Sequence, residues 1–187
     1  VMRGEETQIA GFLQRKPEFD GVLCLPGTHT KWVHISAGEV VSFRTFMTGE
    51  IFALLASHSV LRHSIGEMFD QDAFDQTAFA DAIGDAMAKP EAMAARLFSL
   101  RAESLLSAPD AAGARARLSG FLVGMELAAA RPYWLGRNVV VIGAPQLSTV
   151  YGAALSTQGI IAQHLEGDDM NLLGLVSAYL SFRAQCT

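Results

Sequence analysis

Four short stretches carry residue types that could do chemistry. The first is Leu25-Pro26-Gly27-Thr28-His29-Thr30-Lys31-Trp32. Gly27 lets a backbone approach a ligand closely. Consecutive amides of a tight turn can form an anion nest. Thr28 and Thr30 add hydroxyl donors and Lys31 adds a cation, so the stretch reads as a phosphate cradle. The same residues also describe a plain Pro-Gly hairpin with a polar surface. It is not a Walker A loop: the GxxxxGK[ST] spacing is absent, and a strand follows where that loop has a helix. The second stretch, Ile142-Gly143-Ala144-Pro145-Gln146-Leu147, puts a glycine between an apolar run and a helical one. Open α/β sheets bind ligands at such junctions, and a helix N-terminus favours anions. A bare strand-to-helix turn with Pro at the first helical position is the alternative.

The third stretch is Arg3-Gly4-Glu5-Glu6-Thr7-Gln8, two carboxylates at a helix start. One of them could act as a general base. Acids in a first turn also complement the helix dipole without any catalytic role. The fourth, Phe43-Arg44-Thr45-Phe46-Met47-Thr48-Gly49-Glu50, hands a strand over to a helix, with Thr48 the expected N-cap.

Other reactive residue types lack the spacing that chemistry needs. His29 and His34, like His58 and His63, are five apart, which does not share a helix face, and no HExxH occurs. There is no GxSxG. Cys24 lies in an apolar run and reads as an inert buried residue. Neither Cys24 nor Cys186 belongs to a CxxC, so zinc-ribbon and thioredoxin readings fail. Gly120 and Gly124, four apart, read as a close helix contact.

The elements that must hold these stretches follow from periodicity. Ile9, Phe12 and Leu13 sit at helical spacing up to Pro17. Val22–Leu25, Lys31–Ile35 and Val40–Phe46 read as three short strands joined by turns, an antiparallel meander. From Gly49 to Arg131 the pattern is helical and Ala-rich. Phe52, Leu55 and Leu61 suggest one helix and Phe74–Met87 a second. Pro90 starts a third, and Asp110 caps a fourth that ends at Arg131-Pro132. Asn138–Ile142 is apolar throughout, as in a strand buried on both faces. A helix over Gln146–Leu155, a short strand over Ile160–Ala162 and a last helix over Met170–Phe182 complete the chain. Alternating strand and helix implies parallel pairing. The expected class is α/β, laid out as a ribonuclease H-like lobe: a three-stranded antiparallel meander, then parallel strands with helices, and a helical insertion over about residues 49–109.

Composition limits the partners. The 187 residues are half hydrophobic, and 14 Lys+Arg stand against 19 Asp+Glu, a formal charge of −5. A chain this apolar is not disordered, and at this length about 70% of the unfolded surface can be buried. The acidic balance argues against a nucleic-acid backbone as partner and against an anionic membrane surface. No apolar run reaches transmembrane length. No secretory signal is visible, and the cytoplasm is the expected compartment. The chain does not start with Met, which suggests a fragment or a processed chain.

Taken in order, VMRGEETQ, LPGTHTKWV, FRTFMTGE, GFLVGMEL and VVVIGAPQLSTVYGAAL resemble the 2-dehydro-3-deoxygalactonokinases, sugar-acid kinases of the acetate kinase/sugar kinase/Hsp70/actin superfamily. The resemblance runs from Val1 nearly to the C-terminus. It implies an actin-like ATPase fold of two ribonuclease H-like lobes with ATP and Mg²⁺ between them. The Asp-x-Gly-x-Thr type hairpin that opens such a first lobe has no match here. Residues 1–20 would then be the end of that lobe and a crossover helix, and residues 21–187 the C-terminal lobe.

The resemblance also implies roles. Gly27, Thr28, Thr30 and Lys31 would bind phosphate. Gly143, Ala144 and Gln146 would meet adenosine, with Gly143-Ala144 standing where the superfamily has a Gly-Gly pair. Glu6 would be the base that takes the sugar hydroxyl's proton, with Glu5 second. Arg3 would pair with the substrate carboxylate. The partners are then ATP and a small sugar acid, with a homodimer through the helical block left open. The magnesium ligands would lie outside these residues. Another sugar kinase of the superfamily, or a nucleotide-binding module without catalysis, fits the same stretches.

Overall fold

A computed structural model describes residues 1–65, 74–107 and 110–185. Cys186 and Pro109 lie outside the described residues. Among them the chain is mixed α/β, with five strands in one sheet and eight α-helices. It divides into two compact units. The first comprises Val1–Phe46, Pro132–Ser156 and the segment from Ile160 onward; the second comprises Met47–Arg131 with Thr157–Gly159.

The first unit is built on strands β1 (Gly21–Leu25), β2 (Thr30–Ser36), β3 (Glu39–Phe46), β4 (Val139–Gly143) and β5 (Gln163–Glu166), in the spatial order β3-β2-β1-β4-β5. The meander β1-β2-β3 is antiparallel, while β4 lies parallel to β1, and β5 to β4. The two innermost strands read as apolar runs because both their faces are covered, and every residue of β1 and β4 is buried. Edge strand β3 differs: Val40, Val41 and Phe43 remain exposed, although their sequence reads as an ordinary strand.

Helix α1 (Glu5–Arg15) and helix α8 (Gly167–Gln185) cover one face. Ile9, Phe12 and Met170 meet Leu23, Leu25, Val33, Ile35, Val140 and Ile142 there. The two helices cross backbone to backbone. A Cβ on Gly11 would stand 2.0 Å from the Met170 carbonyl oxygen, and one on Gly174 would stand 2.0 Å from that of Thr7. Val22, Cys24, Trp32 and Val141 alternate onto the opposite face and are buried there. Helix α7 (Pro145–Ser156), preceded by the short helix α6 (Arg131–Trp134), follows β4.

Two elements begin elsewhere than their periodicity suggests. The strand expected over Ile160–Ala162 is β5, three residues later. Gly159 turns left-handed at φ 76° after α7, and the Ile160 N–H closes that helix end on the Leu155 carbonyl at 3.1 Å. Ile160 thus belongs to a helix C-cap, and pairing with β4 starts at Gln163. The last helix starts at Gly167 rather than Met170, with Asp168 and Asp169 in the first turn, where acids suit the dipole.

The second unit packs helices α2 (Thr48–His58), α3 (Gln76–Ala88), α4 (Met93–Leu106) and α5 (Ala111–Ala129). Leu61, read as part of the first helix, lies in a separate 3-10 turn over Val60–His63. Pro90 opens a 3-10 turn ahead of α4. Asp75 and Asp110 cap α3 and α5, accepting the N–H of Ala78 and of Gly113. Gly120 and Gly124 press α5 onto α3: Cβ atoms there would meet the Phe79 carbonyl at 2.5 Å and the Ala86 methyl at 2.8 Å. Helix α5 ends at Ala129, and Pro132 sits inside α6 rather than stopping helical structure. Thr48 is not the N-cap of α2. Met47 occupies that position, and the buried Thr48 hydroxyl donates instead to the Glu126 carboxylate of α5. No helix among the described residues is long and apolar enough to cross a membrane.

Candidate active site

The β1–β2 turn is short because Leu25 still pairs with Lys31, leaving Pro26 to His29 outside the strands and only Thr30 between them and the first pair. Pro26 is buried, Gly27 is half-buried and Thr28 is exposed. Nothing lies within 4 Å of where a Gly27 Cβ would sit, so the turn backbone faces open space. On that side of Gly27 a ligand would meet no side chain.

Alternation along β2 then sends Thr30 and Lys31 to opposite faces of the sheet. Thr30 is fully buried, and its hydroxyl lies 2.8 Å from the Tyr151 hydroxyl of α7. Lys31 is 5% exposed. Its ammonium pairs with the Glu5 carboxylate of α1 and donates to the His29 carbonyl at 3.0 Å.

The N-terminus of α1 completes that side. Gly4 turns left-handed at φ 114°, and its carbonyl accepts the Thr7 N–H at 3.0 Å. The two carboxylates reach back: Glu5 accepts the Arg3 N–H at 2.8 Å and Glu6 the Gly4 N–H at 2.9 Å. Burial pushes the Glu5 carboxyl upward. The Lys31 ammonium and the backbone N–H groups of Arg3 and Glu5 outweigh it and hold the group below the ordinary 4.5. Glu6 and Arg3 are exposed.

At the third corner, β4 ends at the buried Gly143, and Pro145 opens α7. Ala144 and Gln146 are exposed beside it. A Gly143 Cβ would lie 3.2 Å from the Pro26 ring. A Gly167 Cβ would lie 3.1 Å from the Gln8 amide nitrogen and 3.4 Å from the Gly143 Cα. The turn after β1, the ends of β4 and β5, and the start of α1 therefore meet at the carboxyl edge of the parallel strands. Open α/β sheets bind ligands at that edge.

The structure thus brings Gly27, Lys31, Glu5 and Gly143 to one end of one sheet, with Glu6, Thr28, Ala144 and Gln146 exposed beside them. It turns Thr30 away onto the α7 face. Among the described residues no group of three or more His, Cys, Asp or Glu side chains could hold a metal ion. Sequence reading missed Gly167 at this edge and Tyr151 behind it, while Gln8 stood in the third stretch with no role of its own. Tyr151 carried a usable signal, since a tyrosine buried on an apolar helix face needs a partner for its hydroxyl. Gly167 carried none, because its role is a close approach between segments distant in sequence.

Comparison with known proteins bears on this geometry. The sequence model described as 2-keto-3-deoxy-galactonokinase matches residues 1–178. A Rhizobium meliloti (strain 1021) protein, named as the probable 2-dehydro-3-deoxygalactonokinase DgoK1, is 40% identical over 179 residues. Those residues are 95% of this chain and 58% of that protein. The 2-dehydro-3-deoxygalactonokinase of Escherichia coli (strain K12) is 32% identical over 178 residues, 95% of this chain and 59% of its own. The crystal structure of a Sinorhizobium meliloti protein, provisionally assigned as a 2-dehydro-3-deoxygalactonokinase, matches with a TM-score of 0.89 at 38% identity. It covers 97% of this chain and 60% of that one. The chain therefore spans about three fifths of the length of these relatives.

Proposed function

The chain belongs to the 2-keto-3-deoxy-galactonokinase family, and on that premise we propose that it forms the C-terminal, ribonuclease H-like lobe of a cytoplasmic kinase. The enzyme moves the γ-phosphoryl group of ATP to the C6 hydroxyl of 2-dehydro-3-deoxy-D-galactonate. Residues 1–20 cross over from a preceding lobe and seat α1 on this sheet, where it shares the nucleotide-facing edge with the strands that follow. The observation that supports this most is the open turn at Gly27, set against Gly143 and the acidic start of α1.

In this reading the β1–β2 turn receives phosphate oxygens on the amides around Gly27 and Thr28, with Lys31 adding charge. Thr30 contributes from behind, bonding Tyr151 and so holding the turn. Gly143, Ala144 and Gln146 flank the adenosine. Arg3 pairs with the sugar acid's carboxylate. The attacking C6 oxygen forms a bond to phosphorus as the bond from phosphorus to the β–γ bridging oxygen breaks and ADP leaves. The hydroxyl proton passes to a carboxylate at the start of α1, Glu6 first and Glu5 second. Little covalent chemistry falls to the protein; positioning and charge stabilisation do the work. Mg²⁺ travelling with the nucleotide would add charge neutralisation.

The test uses the gene product of the relatives' length. ATP, Mg²⁺ and 2-dehydro-3-deoxy-D-galactonate are supplied, and the product is identified by ³¹P NMR. A 6-phosphate ester supports the reading. A phosphoryl group on another position, or none with the nucleotide bound, sinks it.

A further inference from the structure

The two carboxylates at the start of α1 stand in different surroundings, and the difference separates their roles. Both oxygens of Glu5 are engaged: one pairs with the Lys31 ammonium, and the other accepts the Arg3 N–H at 2.8 Å. The Glu5 side chain keeps 22% of its exposure and that of Lys31 only 7%. Glu6 is exposed, and one of its oxygens accepts the Gly4 N–H. A base must offer a lone pair to the hydroxyl it deprotonates. Glu6 can do so without breaking an ion pair. Glu5 cannot.

Lys31 supplies the other half of the argument. A lysine ammonium has three N–H donors. Glu5 and the His29 carbonyl take two, leaving one for a ligand oxygen. An ammonium on a flexible four-carbon stem is a point charge with no fixed direction of its own. Here a carboxylate from a helix and a carbonyl from the adjoining turn fix it at the mouth of the turn. Protein kinases hold a strand lysine with a helix glutamate in the same manner.

We propose that Glu5 is a positioning residue: it acts through Lys31, holding that ammonium at the phosphate turn, while Glu6 alone serves as the base. The proposal rests on the kinase reading for its kinetic arm. Its other arm is independent of turnover.

The experiment compares Glu5→Gln, Glu5→Asp and Glu6→Gln in the full-length protein. The first readout is the rate at which acetic anhydride acylates Lys31, followed by peptide mass spectrometry. Release of Lys31 from its partner speeds acylation about fivefold or more in Glu5→Gln, in line with a locally opened site. Glu6→Gln leaves it as in the wild type. The second readout is the split between KM and kcat. Glu5→Gln raises the KM for ATP about tenfold with kcat within about threefold, whereas Glu6→Gln lowers kcat by about 100-fold or more. Glu5→Asp recovers part of both Glu5→Gln effects, and it carries the test if Glu5→Gln does not fold. Unchanged Lys31 acylation in the Glu5 variants overturns the proposal. So does a Glu5→Gln enzyme that loses kcat as Glu6→Gln does while KM for ATP stays put. If the wild type shows no turnover, the kinase reading fails, and the acylation readout alone decides whether Glu5 holds Lys31.

Discussion

The Thr30 hydroxyl lies 2.8 Å from the Tyr151 hydroxyl, in a position closed to solvent. This bond ties the first residue of β2 to the middle of α7, so the turn after β1 is braced from the face opposite α1. A buried hydroxyl that loses its partner costs about 1–3 kcal/mol, whereas removing both partners costs far less than the sum. Thr30→Val and Tyr151→Phe should therefore each lower stability by about 1–2 kcal/mol, and the double variant should fall short of additivity. Urea unfolding of all four proteins checks this. Strict additivity would mean that the two hydroxyls do not stabilise each other.

The Glu5–Lys31 pair should make stability depend on pH in a set direction. The folded Glu5 carboxyl titrates below its ordinary value, despite burial, because Lys31 and backbone N–H groups favour the charged form. Its contribution is therefore fully present above the unfolded pKa and is lost as pH falls through the folded one. Glu5→Gln should cost about 1–2 kcal/mol at pH 7, between the values for exposed and buried pairs. Thermal unfolding from neutral to acid pH should show the difference from wild type shrinking once pH drops below the ordinary carboxylate range. A difference that grows on acidification would contradict the pairing.

Two glycines should respond oppositely to alanine. Gly27 faces open space and its backbone lies outside the left-handed region, so Gly27→Ala should leave the unfolding midpoint almost unchanged. Its methyl group would occupy the approach to the turn amides, raising the KM for ATP about tenfold. Gly174→Ala would instead drive a methyl to within 2.0 Å of the Thr7 carbonyl, and should cost about 1–3 kcal/mol or more as α8 moves off α1. Denaturant unfolding with ATP titration of both variants separates the two roles.

Much of this frame was legible because local pattern and tertiary role coincide. Ile9 and Phe12 at helical spacing gave α1, the uniformly apolar Val139–Ile142 gave the buried β4, and Gly120 with Gly124 marked a close helix contact. The failures arise where a distant partner decides. Thr48 has the residue type of an N-cap, yet its hydroxyl goes to Glu126 from another helix. Ile160 has strand propensity, but a helix C-cap claims its N–H. Thr30 and Lys31 look alike in the turn motif, and only the alternation of β2 between two covered faces reveals that one meets Tyr151 and the other Glu5. No spacing rule links Glu5 to Lys31, so their pairing was invisible in the chain itself.

The most direct test of the account is ADP release by the full-length protein with ATP, Mg²⁺ and 2-dehydro-3-deoxy-D-galactonate, run beside the gluconate epimer. The account predicts turnover that prefers the galactonate form. Absence of turnover with both epimers, in a protein that still binds ATP, would contradict it.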